Sequence, residues 1–209
     1  YMFTLAGFNA TTFSLGNLSG WNTSKVSLMG EMFSMAGYSA TTFDLGNVGT
    51  WDVSNLTTMY HFFYNSGRNA TTWNVGDLSQ WKVGNVTNMV GMFLCAGYSA
   101  TTFNIGDISG WDVSKVTDFA TTVTLQDNSI SGISGMFAWA GEVASTFYIG
   151  DIGKWNTSSA TIMDCMFFRA GLNASYSLNL SGWNVSNVTS HQFFNDWVAG
   201  KITPPTWVY

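Results

Sequence analysis

Apolar positions recur along this chain with a period of about thirty residues. Trp21, Trp51, Trp81 and Trp111 stand 30 residues apart, Trp155 follows after 44 and Trp183 after 28. Eight residues before these tryptophans come Phe13, Phe43, Trp73, Phe103 and Phe147, with Tyr176 one step closer in the shortened last copy. Eleven residues after them come Met32, Phe62, Met92, Met166 and Phe194, and a 14-residue excess in the fourth copy delays Met136. A period of this size with aromatic and Met positions held in phase predicts stacked supersecondary units. Within one copy, Ala40 to Gly46 alternates β-formers with polar residues and ends at glycine, which predicts a short strand with Phe43, Leu45 and Thr41 facing inward. Trp51 to Ser54 reads as a second extended piece. Asn55 to Phe63 places apolar residues at Leu56, Met59, Phe62 and Phe63, the spacing of a helical or 3-10 turn.

The expected architecture is therefore a repeat solenoid over residues 1–209, with about six copies of a coil of roughly 30 residues. Its strands pair in parallel about 4.8 Å apart, giving a rod roughly 30 Å long lined by Trp, Phe and Met ladders. An insertion at about 121–134 interrupts the fourth copy, and residues 195–209 read as a C-terminal cap or arm.

Composition narrows the function classes. Hydrophobic residues make up 46% of the chain, which excludes disorder, and only 9% are charged, so Asn, Ser, Thr and attached glycans must carry solubility. A net charge of −5 with seven scattered Lys and Arg offers no cationic track for nucleic acid. Apolar runs are broken every few residues, too short to span a bilayer. The start at Tyr1 rather than Met fits a trimmed secreted chain or a fragment.

The strings Trp51-Asp52-Val53-Ser54-Asn55-Leu56-Thr57-Thr58-Met59 and Trp111-Asp112-Val113-Ser114-Lys115-Val116-Thr117, with the Met92-Phe93 pair, resemble the repeats of BspA-type leucine-rich-repeat surface proteins and mycoplasma-type surface lipoproteins. The resemblance covers nearly the whole chain. It implies a leucine-rich-repeat-like solenoid displayed outside the cell, in a family of adhesion and surface display rather than catalysis. The Ala-Thr-Thr-Phe segments and the density of Asn-X-Ser/Thr triplets depart from that pattern.

Those triplets begin at Asn9, Asn17, Asn22, Asn55, Asn69, Asn85, Asn156, Asn173, Asn179, Asn184 and Asn187, eleven of eighteen asparagines. Roughly four would arise by chance. Asn9, Ser39, Asn69 and Ser99 alternate in one phase, which spaces bulky glycans two copies apart, so Asn9, Asn69 and Asn173 are the expected acceptors. The competing reading is that these side chains cap loops. Asn17, Asn47, Asp77, Asp107 and Asp151 share one phase. Three stacked carboxylates suggest calcium, against the simpler reading that each accepts turn amide protons, which is the one preferred.

Cys95 and Cys165 lie in different phases two repeats apart, beyond the expected reach of a disulfide and too few for zinc. His61 and His191 share no catalytic partner in phase, so no enzyme and no cofactor is expected.

Three functions fit. In the preferred one, an extracellular structural glycoprotein self-associates head to tail in a filament, coat or wall. Tyr1, Met2 and Phe3 begin at the Met-Phe step without a cap, and Pro204, Pro205, Trp207 and Tyr209 form either an edge-protecting cap or, preferred narrowly, an arm to a neighbour. The alternative is a monomeric surface adhesin that binds a glycan or protein ligand through the Thr121 to Ser134 insertion or the flat strand face. Ice binding ranks third, on the outward ladder Thr12, Thr42, Thr72, Thr102 and Thr146, flanked by Ser14, Asp44, Asn74, Asn104 and Tyr148.

Overall fold

The computed structural model describes residues 1–126 and 129–208. Strands β1 (Thr12–Ser14), β2 (Thr42–Asp44) and β3 (Thr72–Asn74) form one parallel sheet in that order. Thr12 lies opposite Thr42 and Thr42 opposite Thr72, so each copy advances the sheet by one strand. Strand β4 (Thr102–Asn104) is followed by an antiparallel hairpin of β5 (Thr124–Gln126) and β6 (Ser129–Ser131), and then pairs in parallel with β7 (Thr146–Tyr148). Strands β8 (Leu178–Asn179) and β9 (Ile202–Thr203) make a last parallel pair. The result is a strand-rich, repeat-like fold of short parallel strands in small sheets, without an α-helix among the described residues.

The strands are shorter than the alternation predicts because their third residue bends the chain. Asp44, Asn74 and Asn104 each accept, on Oδ1, the N–H of the glycine two residues on, at 2.8, 3.0 and 2.9 Å. Those glycines are left-handed, and at Gly106 (φ +83°) an added Cβ would also collide with the Asp77 carboxylate of the preceding copy. Thr41 does not face inward as the alternation predicts. It is exposed, and its hydroxyl donates to the Thr11 carbonyl at 3.0 Å, a clamp repeated by Thr71 and Thr101. The second extended piece is also displaced. Asp52 folds residues 52–54 by accepting the Ser54 N–H at 3.0 Å, and parallel pairing resumes later as single bridges from Leu28 through Thr58, Asn88, Asp118 and Ile162 to Ser190.

No helical turn forms at 55–63. In the equivalent stretch of the second copy, the N–H groups of Met32, Ser34 and Ala36 close three-residue turns onto Met29, Glu31 and Phe33. Those of Glu31, Phe33 and Met35 instead reach the carbonyls of Tyr60, Phe62 and Tyr64 in the next copy. A helix would keep every such donor within its own copy. The ribbon alternates, and it places non-glycine residues such as Glu31, His61, Asn65 and Cys95 at φ between 51° and 56°. Helix and turn ribbon share the same three-to-four-residue apolar spacing, which is why the pattern alone reads as helix. The 3-10 turns lie elsewhere, at Val48–Thr50, Ile108–Gly110 and Ile152–Lys154 just before the tryptophans, and at Ala199–Lys201.

One apolar core runs through the copies from Phe13 to Ile202. Phe3, Phe33, Phe63, Phe93, Phe137 and Phe167 stack with centroids 5.4–5.7 Å apart. A second ladder runs Phe13, Phe43, Trp73, Phe103, Phe147 at 5.0–6.2 Å. The tryptophans also tie each copy to the one before it. The Nε1–H of Trp51, Trp81, Trp111, Trp155 and Trp183 donates to the preceding copy's carbonyl at Leu18, Val48, Leu78, Ile108 and Ile152, at 2.9–3.1 Å. Phenylalanine would fill the space and leave these buried carbonyls without that donor. Glycine is equally constrained at Gly67 (φ +50°), where a Cβ would sit 2.5 Å from Phe43 Cβ and 2.9 Å from Trp73 Cδ1.

The block from 195 folds back on its own chain and closes the core, so the arm reading of Pro204, Pro205 and Trp207 does not hold in this structure. β9 pairs with β8, Pro205 is buried, and Trp207 stacks on His191 at 3.9 Å and meets Phe194 edge-on at 5.1 Å. Packing Trp207 against the last rings removes more apolar surface from water than an extended arm would. Tyr209 lies outside the described residues. At the other end Phe3 joins the phenylalanine ladder, while Tyr1 and Met2 are exposed.

Candidate functional site

Three columns of side chains cover the outer face of the strands. The first is the threonine ladder from Thr12 to Thr146, all exposed and in register within each sheet. The second holds Ser14, Asp44, Asn74 and Asn104, the residues that bend the chain onto the turn glycine, and then Tyr148. The third holds Asn17, Asn47, Asp77, Asp107, Asp151 and Asn179, whose Oδ1 accepts the N–H two residues on at 2.9–3.3 Å. Hydrogen bonds from Ser109 hold the Asp107 carboxyl below its ordinary range.

The parallel pairing lapses between β3 and β4 and again between β7 and β8. Trp73 stands at the first of these, an indole where the neighbouring copies have phenyl rings, stacked on Phe103 at 5.0 Å. An open cleft of about 610 Å³ lies over this first gap, lined by Thr72, Asn74, Asp77, Thr102, Asp107 and Tyr148 among others. A second cleft of about 480 Å³, with Asp151, Tyr176 and Asn179, flanks Tyr148 and Asp107 on the other side. Tyr148 is 46% exposed and forms the wall between them.

All eleven acceptor asparagines are exposed, but they are not equivalent. Asn17, Asn22, Asn156, Asn179 and Asn184 hold turns by accepting the N–H of the serine that completes their own triplet, at 2.9–3.2 Å. Asp52, Asp77, Asp107 and Asp112 do the same in other copies. The turn thus accounts for an Asn or Asp followed by Ser at these phases. Asn55, Asn85 and Asn187 spend Nδ2, the atom a glycan would modify, on the Ser24, Ser54 and Ser158 carbonyls at 2.6, 2.9 and 2.7 Å. Asn9, Asn69 and Asn173 are exposed, and among the described residues they make no side-chain hydrogen bond.

Asp77, Asp107 and Asp151 use their oxygens in turns, and no group of three or more His, Cys, Asp or Glu among the described residues is placed to hold a metal ion. Cys95 and Cys165 are free thiols in a satellite cluster with Leu94, Val123, Ala138 and Phe168, and burial pushes them up to about 11 and about 12. The insertion rests on this cluster. Thr121 and Ser134 close its base through their hydroxyls at 2.5 Å, while Asp127 and Asn128 lie outside the described residues.

Asp164 escaped the sequence reading, and Glu142, which reads there as an isolated acid, is paired in the structure. Asp164 is fully buried, accepting from the Val123 N–H, the Gln192 N–H and the Ser190 hydroxyl at 2.9, 2.8 and 2.6 Å. Glu142, also buried, pairs with Arg169 at 2.5 Å, and Arg169 lies over Trp197 at 4.8 Å. The contacts of both are single departures from the repeat, invisible to an argument built on recurrence.

His61 sits between Tyr60 and Tyr64, at 3.9 and 4.7 Å, with Nε2 buried and unpartnered. Burial pulls its pKa from 6.5 to about 4. The folded state holds it neutral, so this contribution is full above pH 6.5 and is lost as pH falls toward 4. After allowance for solvent at this half-buried site, the loss is about 1–2 kcal/mol. Urea unfolding of wild type between pH 7 and pH 5 is expected to show it, and His61→Asn, which tolerates the left-handed backbone, should flatten that part of the profile.

Parallel strands that advance one per copy, ladders of aromatic rings and a polar outer face define a repeat protein with a strand-rich core. The chain belongs to the family described as Mycoplasma protein of unknown function, DUF285, whose model matches residues 2–133 and 123–197. That family is associated with BspA-like mycoplasma surface repeat proteins. No curated protein and no solved structure matches the chain.

Proposed function

We propose that the chain is a leucine-rich-repeat-like solenoid displayed outside the cell, acting as a monomeric ligand-binding module rather than as an enzyme. The cap carries this reading: with Trp207 over His191 and Phe194 and with Pro205 buried, the core at that end is covered by the chain itself and is not available for head-to-tail stacking. The family's association with surface repeat proteins and the polar strand face agree with it. On this reading Asn9, Asn69 and Asn173 are the asparagines fit to carry glycans.

End-to-end assembly is the second reading. The surface it would use is the apolar face of the first described copy, where Tyr1, Met2, Leu5, Trp21 and Leu28 are 39–82% exposed, a face that a further repeat, of this chain or of another, would fit. Sedimentation velocity of the purified chain with negative-stain microscopy separates the two. Isolated short rods at all concentrations are expected; concentration-dependent filaments would overturn the monomeric module and establish assembly.

A further inference from the structure

Tyr148 abandons the turn chemistry that holds its column from β1 to β4. In β1 to β4 the third strand residue is Ser14, Asp44, Asn74 or Asn104, and its side-chain oxygen accepts the following glycine N–H at 2.8–3.3 Å. A tyrosine has no oxygen that reaches Gly150 in this way. Nor does its ring join the core: it is 46% exposed, and among the described residues no aromatic ring stacks on it. Among the described residues its side chain makes no hydrogen bond, yet it stands in β7, whose parallel pairing lapses on the β8 side, and where two clefts meet.

Resting on the binding-module reading, we propose that the strand face around Tyr148 is a binding site for a neutral oligosaccharide. Tyr148 is the stacking platform for the apolar face of a sugar ring, a flat surface with little entropy to lose. Asn74, Asn104 and Thr102 along the first cleft, Asn179 along the second and Asp107 in both supply donors and acceptors for hydroxyl groups. The charge fixes the ligand class. Asp77, Asp107 and Asp151 line these clefts, and Lys154, the cation beside them, is already 3.6 Å from Asp151. A sulfated, phosphorylated or sialylated chain would therefore meet uncompensated carboxylates.

The test uses the full chain on an array of neutral hexose and N-acetylhexosamine oligosaccharides printed beside sulfated and sialylated ones, followed by titration with the best neutral ligand. Wild type is expected to retain neutral oligosaccharides only. Tyr148→Ala and Tyr148→Asn should each weaken binding at least tenfold. Tyr148→Asn restores the turn acceptor, so its thermal midpoint should equal or exceed that of wild type, which rules out misfolding as the cause of lost binding. No retention of any neutral oligosaccharide, preference for anionic ones, or undiminished binding by Tyr148→Asn would each overturn the proposal. Short monomeric rods in sedimentation would at the same time leave the binding-module reading standing, with its ligand sought elsewhere.

Discussion

Phe93→Ala is expected to lower the free energy of unfolding by about 3–5 kcal/mol. The ring is fully buried at the middle of the phenylalanine ladder, 5.4 Å from both Phe63 and Phe137 and edge-on to Phe103 at 6.2 Å. Removing it deletes the apolar transfer term and leaves a cavity that neighbours cannot fill. The backbone on both sides is fixed by hydrogen bonds to adjacent copies, among them Phe63 N–H to the Met92 carbonyl at 2.8 Å and Phe93 N–H to the Met136 carbonyl at 2.8 Å. Because the ring packs on the copies at either side of it, this loss also weakens the coupling between the two halves. Urea unfolding followed by tryptophan fluorescence should therefore show a lower midpoint and a broadened or split transition, whereas Phe13→Ala, near the end of its ladder, should lower the midpoint without splitting it.

Asp164→Ala is expected to cost about 3 kcal/mol or more, because each buried donor left without an acceptor costs about 1–3 kcal/mol. Its carboxylate receives three hydrogen bonds, from the insertion at Val123 and from the following copy at Ser190 and Gln192. Asp164→Asn keeps the shape but turns one acceptor into a donor facing an N–H or a hydroxyl, so it should recover little. Limited proteolysis distinguishes this from a general core defect: in Asp164→Ala, cleavage within 121–134 should accelerate before the rest of the chain is attacked.

The period of the chain made the repeat and its core legible. Residues that recur, such as the tryptophans from Trp51 to Trp183, are each buried at the same step of the circuit. Legibility failed where two local structures share one spacing. Leu56, Met59, Phe62 and Phe63 fit a helix and a ribbon of turns equally, and what decides between them is inter-copy hydrogen bonding that no single copy contains. It failed again where one signal has two causes: the serine after Asn17 or Asn184 completes a glycosylation triplet and also offers the N–H that the asparagine accepts. The residue on which the proposed strand-face site rests lay in plain view as the odd member of the series Ser14, Asp44, Asn74, Asn104, Tyr148, but its oddness has meaning only once the turn explains the other four.

The most direct test of the one-strand-per-copy register is distance measurement between spin labels on the threonine ladder, with Cys95 and Cys165 replaced by alanine and cysteines introduced in pairs at Thr12 and Thr72, Thr12 and Thr102, and Thr12 and Thr146. Stacked parallel copies predict backbone separations rising by about 4.8 Å per copy, to roughly 10, 14 and 19 Å. Separations that fail to increase along this series, or a Thr12–Thr146 pair no farther apart than Thr12–Thr72, would contradict it.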